Sequence, residues 1–259
     1  FQLQLEDMAS IDSALRTIQP HIVIHCGAYG VGSTKSDIFK SIQVNIQGSY
    51  FLAKAAHRQN VQYMLNIGTA YEYGSSPDPI SEKFFKPPYS VYGISKRAST
   101  DLLMQYSNST GFAITTFRIF GLYGPHERQH KVIPQVIQAC LQKRPLQLSK
   151  GTQIRDYTYV KDVAEFFCQL VTKDKIPPSD IFNLGSGIPV TLKQFVEVPA
   201  KLLDSLSSLQ WGELDLRSDE GQCFVANTEK VCNSLNWKPK TSVEEGMREA
   251  IDFYSNHPR

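Results

Sequence analysis

Residues 21–28 read His-Ile-Val-Ile-His-Cys-Gly-Ala, and this stretch decides the fold. It follows Pro20 and has the length and the β-branched composition of a buried strand. Two later stretches share this character: Val61-Gln-Tyr-Met-Leu-Asn-Ile-Gly-Thr69 and Phe112-Ala-Ile-Thr-Thr-Phe-Arg-Ile-Phe120. The sequence therefore predicts three strands of one sheet in the first half of the chain.

Helical periodicity fills the segments between these strands. Apolar residues recur near helical spacing after the first strand, at Ile38, Ile42, Ile46, Phe51 and Ala55. This spacing predicts a helix over residues 37–58, and a second helix is predicted over 90–108. Strands that alternate with helices indicate a doubly wound, Rossmann-like α/β fold with a parallel sheet and right-handed crossovers.

The carboxyl ends of the predicted strands mark the expected ligand site, because doubly wound folds bind ligands at that edge of the sheet. Those ends are Gly27-Ala28, Gly68-Thr69 and Phe120-Gly121.

The texture of the sequence changes after Tyr123-Gly-Pro125, where the elements become shorter and Pro and Gly more frequent. We expect residues 1–125 to form a dinucleotide-binding domain. Residues 126–259 are expected to form mainly a smaller substrate-binding domain, with some segments returning to the first domain. The elements predicted there are helices over 132–142, from Asp162, over 228–235 and over 243–254, and a strand over 156–160.

Composition restricts the class of protein. Twenty-seven basic and 25 acidic residues among 259 leave a net charge of +2, which gives no support to a nucleic-acid-binding surface. The five cysteines have no zinc-ligand spacing, and their odd number and scatter indicate reduced thiols in a cytoplasmic protein. No apolar run has the length of a membrane span. A small metabolite is the expected partner, with no metal, nucleic acid or membrane involved.

The chemistry is expected at Tyr92-Gly-Ile-Ser-Lys96, which places a phenol and an ammonium four residues apart on one face of a helix. A tyrosine has an ordinary pKa of about 10 and is a poor acid-base catalyst at neutral pH. We expect the Lys96 ammonium to favour the phenolate and lower the pKa of Tyr92. Thr69, at the end of a predicted strand, could orient a substrate oxygen beside this pair.

An ordered series of blocks covers almost the whole chain and resembles the extended short-chain dehydrogenases, which include NAD-dependent sugar epimerases, dehydratases and reductases. The blocks are His25–Ala28, Asn45, Asn66–Gly74, Pro87–Lys96, Arg118–Pro125, Arg155–Asp162, Phe182–Gly187, Trp211–Glu213, Arg217 and Leu235–Pro239.

The resemblance implies roles at the reacting end of the site. Thr69 would hold the substrate oxygen, Tyr92 would be the acid-base, and Lys96 would bind the cofactor ribose and tune Tyr92. Gly27 and Ala28 would lie against NADP or NAD, where small side chains let the backbone approach.

The resemblance also implies supporting roles elsewhere. Asn45 would be a structural or cofactor-supporting group, while Arg155 and Arg217 would grip a nucleotide diphosphate. Gly121 stands in a substrate-contacting block at a position where many relatives have an asparagine, so it cannot supply that hydrogen bond.

The family pattern begins with a strand and a Gly-rich turn that receives the cofactor pyrophosphate. That segment is missing from the printed sequence, and the run Gly27-Ala-Tyr-Gly-Val-Gly32 follows the wrong strand to replace it. By comparison with this architecture, roughly 55 to 65 residues are expected to precede residue 1. We therefore expect the 259-residue chain alone to bind NADPH more weakly than micromolar.

The residues that follow Thr69 indicate which reactions of the family are expected for this chain. Family dehydratases place an additional acid or base there, commonly a glutamate two residues beyond the threonine, but this chain has Ala70 and Tyr71. Glu72 is shifted by one residue and would face the other way if the local backbone were extended. His126 and His130 are interpreted as polar loop residues. Dehydration is therefore disfavoured.

Carbonyl reduction and 4-epimerisation remain open. The blocks around Thr69 and Arg217 resemble those of nucleotide-sugar 4-ketoreductases, so the favoured prediction is reduction of a nucleotide-linked 4-keto-6-deoxyhexose at C4. The alternatives are a 4-epimerase that retains NAD and a non-enzymatic binding relative. By resemblance, a homodimer is expected through the helices near 37–58 and 90–108.

Overall fold

A computed structural model describes residues 3–31, 37–172, 176–177, 179–215 and 221–257. The chain divides into two compact units. Unit 1 comprises residues 1–75, 82–119 and 169–183, and unit 2 comprises residues 76–81, 120–168 and 184–259.

The described strands, in chain order, are β1 Ile22–His25, β2 Tyr63–Thr69, β3 Ala113–Ile119, β4 Gly121–Tyr123, β5 Leu146–Leu148, β6 Ile154–Arg155, β7 Tyr157–Tyr159, β8 Ile181–Leu184, β9 Val190–Thr191, β10 Leu209–Trp211 and β11 Cys223–Phe224. The described α-helices are α1 Met8–Ile18, α2 Ile38–Ser41, α3 Ser49–Arg58, α4 Val91–Thr110, α5 Val132–Leu141, α6 Val160–Thr172, α7 Leu192–Leu202, α8 Glu229–Leu235 and α9 Val243–Asn256. A π-helical segment, Ile42–Gly48, joins α2 to α3.

The main sheet has the strand order β1-β2-β3-β8. Strand β2 pairs in parallel with β1 on one side and with β3 on the other. The three predicted strands are thus observed, each shorter by a few residues at its ends. The predicted α/β fold with a parallel, Rossmann-like sheet is confirmed.

The helices beside this sheet differ from the prediction in detail. The helix expected over 37–58 is observed as α2, the π-helical segment and α3 in succession, and α4 extends the second predicted helix to residue 110. Asp37 caps the first by accepting from the Lys40 N–H, and Gly111, with φ +76°, ends the second. A π-helical turn depends on side-chain packing and leaves no mark in the apolar spacing.

The core of unit 1 lies between α1, α3, α4 and the sheet. Ala53, Ala55 and Ala56 on α3 are fully buried, and these small side chains let α1 and the sheet pack closely on either side. The larger residues that fill the core with them are Ile11, Leu15, Leu52, Val61, Met64, Leu103, Phe112 and Ile114. Burial on this scale gives the sheet a fixed platform for the strand ends.

The described residues of unit 2 form three small sheets and a separate apolar core. Strand β4 pairs with β7 and β5 with β10, while β11, β6 and β9 form the third sheet. Helices α5, α7 and α9 pack together over an apolar core that includes Val136, Phe195 and Met247. The tyrosine rings of Tyr123 and Tyr159 lie 5.6 Å apart within it. The assignment of this part of the chain as a substrate-binding domain stays a prediction.

Among the described residues, no helix combines the length and the apolar character that crossing a membrane requires.

Candidate active site

Thr69 is the last residue of β2 and the N-cap of a short 3₁₀ turn, Ala70–Glu72. Its hydroxyl accepts a hydrogen bond from the Tyr71 N–H at 3.3 Å. Its own N–H donates to the Glu72 carboxylate at 3.0 Å, which completes a capping box. The turn therefore fixes Thr69 at the carboxyl edge of the sheet.

Gly93 lets α4 approach this turn. A Cβ added at Gly93 would lie 2.2 Å from the Tyr71 carbonyl oxygen, a distance that no side chain can accept. The N-terminus of α4 is capped by Ser90, whose hydroxyl accepts from the Gly93 N–H at 3.1 Å. The close approach brings the Tyr92 phenol near the Thr69 hydroxyl, close enough for that hydroxyl to act on the pKa of the phenol.

Lys96 lies one turn further along α4 and is 1% exposed. Its ammonium donates to the Ile67 carbonyl of β2 at 2.8 Å. Burial lowers the pKa of Lys96, and the nearby Glu72 and Cys26 oppose that shift. Burial is the largest influence on the pKa of His25 and of Cys26 at the end of β1, and the Lys96 charge acts to lower both pKa values. The fold thus brings Thr69, Tyr92, Lys96 and the end of β1 together.

The pKa of Tyr92 is raised, which differs from the predicted direction. Burial is the largest cause, the Glu72 carboxylate adds to it, and the Thr69 hydrogen bond opposes it. Lys96 does not reverse the shift here, and its ammonium is bonded to the Ile67 carbonyl. A phenol with a raised pKa keeps its proton at neutral pH.

Glu72 forms a buried ion pair with Arg118. Its carboxylate lies 2.7 Å from Nε of Arg118, and the two side chains are 0% and 2% exposed. The prediction placed Glu72 on the far side by strand alternation. In the structure Glu72 stands in a 3₁₀ turn and not on an extended strand, and its carboxylate folds back on the backbone of Thr69.

Gly27 and Ala28, two of the predicted cofactor-contacting residues, follow the end of β1, and a third, Asn45, lies in the π-helical segment. Gly27 is exposed, and a Cβ added there would approach the Leu5 side chain to 2.9 Å. Asn45 is 1% exposed and bonds the backbone N–H and carbonyl of Tyr29, at 2.8 and 3.0 Å, and the Ser95 hydroxyl, at 2.8 Å. Asn45 thus ties the loop after β1, which includes Ala28, to α4. Direct cofactor contact by these residues stays a prediction.

The cluster fits the ribose end of a nicotinamide cofactor. The Lys96 ammonium has three N–H donors, and among the described residues it has one acceptor, the Ile67 carbonyl. Its remaining donors and the Tyr92 phenol suit a hydroxylated ring. Gly32, the last glycine of the run that begins at Gly27, lies outside the described residues.

The predicted substrate residues Gly121 and Arg155 belong to unit 2. A Cβ at Gly121 would lie 2.7 Å from the Asp156 carbonyl oxygen, so the pairing of β4 with β7 requires glycine there. The Arg155 guanidinium donates to the carbonyls of Ile154 and Gln222, at 2.8 and 3.2 Å. The third predicted residue, Arg217, lies outside the described residues. The substrate roles of all three stay predictions.

Sequence reasoning missed several polar residues that organise these sites. Ser95 lies inside the Tyr92–Lys96 motif and links Asn45 to the Tyr92 carbonyl, to which it donates at 2.9 Å. His25 and Ser49 are hydrogen-bonded at 2.8 Å beneath the end of β1. A histidine in an otherwise apolar strand was the signal for the second pair. Within the described ranges, no cluster of three or more acidic, histidine or cysteine side chains could hold a metal ion.

Curated proteins similar to this chain include nucleotide-sugar enzymes of two kinds. The chain is 30% identical over 223 residues to dTDP-D-glucose 4,6-dehydratase of Mus musculus, a match covering 83% of the chain and 62% of the relative. It is 25% identical over 257 residues to UDP-glucuronate 4-epimerase of Thermodesulfobacterium geofontis, covering 98% and 78%. The chain thus spans less than two thirds of the length of the mouse relative.

Solved structures and a family model complete the comparison. UDP-glucose 4-epimerase of Thermotoga maritima, solved with UDP-glucose, has a TM-score of 0.91 at 22% identity, covering 100% of this chain and 85% of that one. At this identity the likeness shows the fold. The model of the NAD-dependent epimerase/dehydratase family matches residues 1–185, well over half of the sequence. The chain therefore belongs to the NAD-dependent epimerase/dehydratase family.

Proposed function

We propose that this chain supplies the catalytic residues of a nicotinamide-dependent oxidoreductase that reduces the C4 carbonyl of a nucleotide-linked 4-keto-6-deoxyhexose. The observation that carries the proposal is the protonated Tyr92 phenol near the Thr69 hydroxyl, on the same helix as the buried Lys96. Reduction of a carbonyl needs one proton donor and one group that orients the oxygen, and this cluster contains both.

Elimination of water needs a further acid or base next to Thr69, and the surroundings of Thr69 do not favour it. Ala70 has no titratable group, and Tyr71 follows in the position where family dehydratases commonly have glutamate. The nearest carboxylate, Glu72, is bonded to the Thr69 N–H and to Arg118. A carboxylate with both oxygens occupied in this way is poorly suited to take a proton from a substrate carbon.

Each residue of the cluster has a distinct role in the proposed reduction. Lys96 and Tyr92 would hold the ribose of NAD or NADP, and the bound cofactor supplies a hydride. Thr69 orients the substrate oxygen, and the Tyr92 phenol donates its proton to that oxygen as negative charge develops on it. The buried Lys96 ammonium stabilises the phenolate that remains. Gly93 keeps Tyr92 and Thr69 within hydrogen-bonding reach.

A nucleotide-linked sugar is the proposed substrate because the two curated relatives described above are named for such sugars with dTDP or UDP. Arg155 is proposed to contact the diphosphate, a task suited to guanidinium geometry. The Arg155 guanidinium is oriented by its hydrogen bonds to the backbone carbonyls of Ile154, in β6, and Gln222.

A second candidate is 4-epimerisation with retained NAD, which the 4-epimerases among the relatives favour. Cofactor stoichiometry distinguishes the two in the full-length protein. The reductase is expected to consume one NAD(P)H per sugar reduced, whereas an epimerase interconverts C4 epimers with no net consumption. The measurement is nicotinamide absorbance together with chromatography of the sugar product. Absence of both reactions with a panel of dTDP- and UDP-linked sugars would contradict the proposal and favour a binding protein.

We also propose that the protein forms a homodimer through the first long helix and α4. Ile38, Phe39 and Ile42 are 62%, 68% and 47% exposed, and Ile94 and Leu102 on α4 are 54% and 38% exposed. Both helices belong to unit 1, and α4 packs against α2 and the π-helical segment. Apolar residues at this exposure on adjoining helices form a patch of the kind that a symmetric partner buries.

The double variant Phe39→Glu/Ile42→Glu tests this dimer. We expect its dimer dissociation constant to rise by about 100-fold, because a two-fold interface places the new charges in an apolar contact. Light scattering after gel filtration measures the mass. Ile188→Glu, at an exposed site of unit 2 outside both helices, is the control and should leave the mass unchanged. Equal masses for the wild type and the double variant at all concentrations would show that another surface, or none, is used.

A further inference from the structure

The buried ion pair Glu72–Arg118 adjoins Thr69, whose N–H donates to the Glu72 carboxylate. The two side chains are 0% and 2% exposed. Burying two charges has a large desolvation cost, and apolar residues of similar volume often stabilise a fold at least as well. Stability alone therefore gives no reason for a carboxylate at this position. Its contacts point to a role in the site.

Each oxygen of the Glu72 carboxylate has a separate partner. Oε1 accepts from the Thr69 N–H at 3.0 Å, and Oε2 accepts from Nε of Arg118 at 2.7 Å. Gly68 makes room for this arrangement, because a Cβ at Gly68 would lie 2.6 Å from Oε1. The strand end, the glycine and the carboxylate thus form one fitted unit.

Arg118 has further contacts of its own, and these fix the position of its ion pair with the Glu72 carboxylate. The Arg118 guanidinium lies over the Tyr73 ring, 4.5 Å from its centroid. The Tyr73 hydroxyl donates to the Asn183 side chain at 2.9 Å, and the Asn183 N–H donates to Glu82 at 2.9 Å. All five residues belong to unit 1, and their contacts fix the charge of Glu72 relative to β2.

We propose that Glu72 is a positioning residue for the carbonyl reduction proposed above. Its carboxylate fixes the backbone of Thr69 and keeps a negative charge near the Tyr92 phenol. The inference rests on the proposed function of Thr69 and Tyr92. Glu72 touches neither substrate nor cofactor in this role. It acts through the orientation of the Thr69 hydroxyl and through the protonation state of Tyr92.

The charges around Tyr92 give the expected sign of the pH effect. On the turn after β2, Glu72 and Tyr71 both raise the pKa of Tyr92, in addition to the larger effect of burial. On β2, Thr69 lowers it through a hydrogen bond. Lys96 lies on the same helix, next to Cys26 of the β1 end. Removing the Glu72 charge should therefore lower the pKa of Tyr92 and favour loss of its proton at a lower pH.

Glu72→Gln in the full-length protein tests the proposal, because the amide oxygen can still accept from the Thr69 N–H while the charge is lost. We expect kcat to fall about 10-fold with KM within about 2-fold, as for an interaction made in the transition state. The pH limb assigned to Tyr92 should move to lower pH. Glu82→Gln removes a carboxylate from the far end of the same network and should leave that limb in place.

A second variant guards against misfolding, since Glu72→Gln leaves the Arg118 charge buried without its carboxylate. The double variant Glu72→Gln/Arg118→Gln removes both charges and should show the same downward shift of the limb. A folded single or double variant with the wild-type kcat and an unmoved limb would overturn the proposal.

A measurement independent of turnover separates this inference from the proposed function. We expect Glu72→Ala to speed amide hydrogen exchange at Thr69 by about 100-fold, because its N–H loses its acceptor, while the core amide of Leu103 is unchanged. If the wild type shows no turnover but Thr69 exchange responds, the proposed reaction fails and the positioning contact stands. If Thr69 exchange does not respond, Glu72 does not hold this strand end and the inference is wrong.

Discussion

Tyr92→Phe is expected to lower kcat of the full-length protein by about 10³-fold, within the range for loss of a general acid. The substitution keeps the ring and removes the hydroxyl near Thr69. In the proposed reaction this hydroxyl is the proton source for the substrate oxygen. KM should change little, because the lost interaction is made mainly in the transition state. Steady-state kinetics with the nucleotide-linked substrate measure both constants.

The matched control for this prediction is Tyr89→Phe. Tyr89 lies three residues before Tyr92 and is 48% exposed. It has no role in the proposed reaction. Its variant should retain wild-type kcat. A Tyr92→Phe variant with kcat within about 10-fold of the wild type would assign proton donation to another group, since a positioned acid contributes at least about 10². Circular dichroism of both variants checks that the fold is retained.

The strands and long helices of unit 1 were predictable because their burial imposes simple patterns. Strand β2 is buried over most of its length, and its apolar residues Met64, Leu65 and Ile67 mark it as a strand of the sheet. Helix α1 was missed although Ile11, Ala14 and Leu15 form its buried stripe, because polar residues surround these few apolar ones. Helix α7 was missed for a different reason: it contains Pro199, which normally argues against a helix interior.

The residues proposed as catalytic could be named as a set from the sequence, but the direction of their pKa shifts could not. The spacing of Tyr92 and Lys96 on α4 places them on one face, and the structure agrees. The direction of the pKa shift of Tyr92 depends on burial and on Glu72, and neither follows from spacing. Whether Glu72 lies on an extended strand or in a 3₁₀ turn is decided by its own hydrogen bonds to Thr69 and Arg118. Local sequence patterns do not encode such side-chain choices.

Asp156→Ala is expected to cause the largest loss of stability in unit 2. Asp156 is fully buried, and its Oδ1 accepts from the N–H and hydroxyl of Ser186, at 2.7 and 2.6 Å. Its Oδ2 accepts from the N–H groups of Gly187 and Ala226, at 2.9 and 3.1 Å. The variant leaves three backbone donors without this acceptor, at about 1–3 kcal/mol each. We therefore expect the free energy of unfolding to fall by about 4 kcal/mol or more.

Urea denaturation of the wild type, Asp156→Ala and Asp156→Asn separates the hydrogen bonds from the charge. Asp156→Asn keeps one carbonyl oxygen as acceptor and should lose about half as much stability as Asp156→Ala. Asp252→Ala, at an exposed site on α9, is the control and should cost less than about 0.5 kcal/mol. Because Asp156 joins the loop after β8 to the residues after β11, its loss should act on unit 2 as a whole. Equal midpoints for Asp156→Ala and Asp252→Ala would show that water replaces the carboxylate, and that these loops are held by their apolar packing instead.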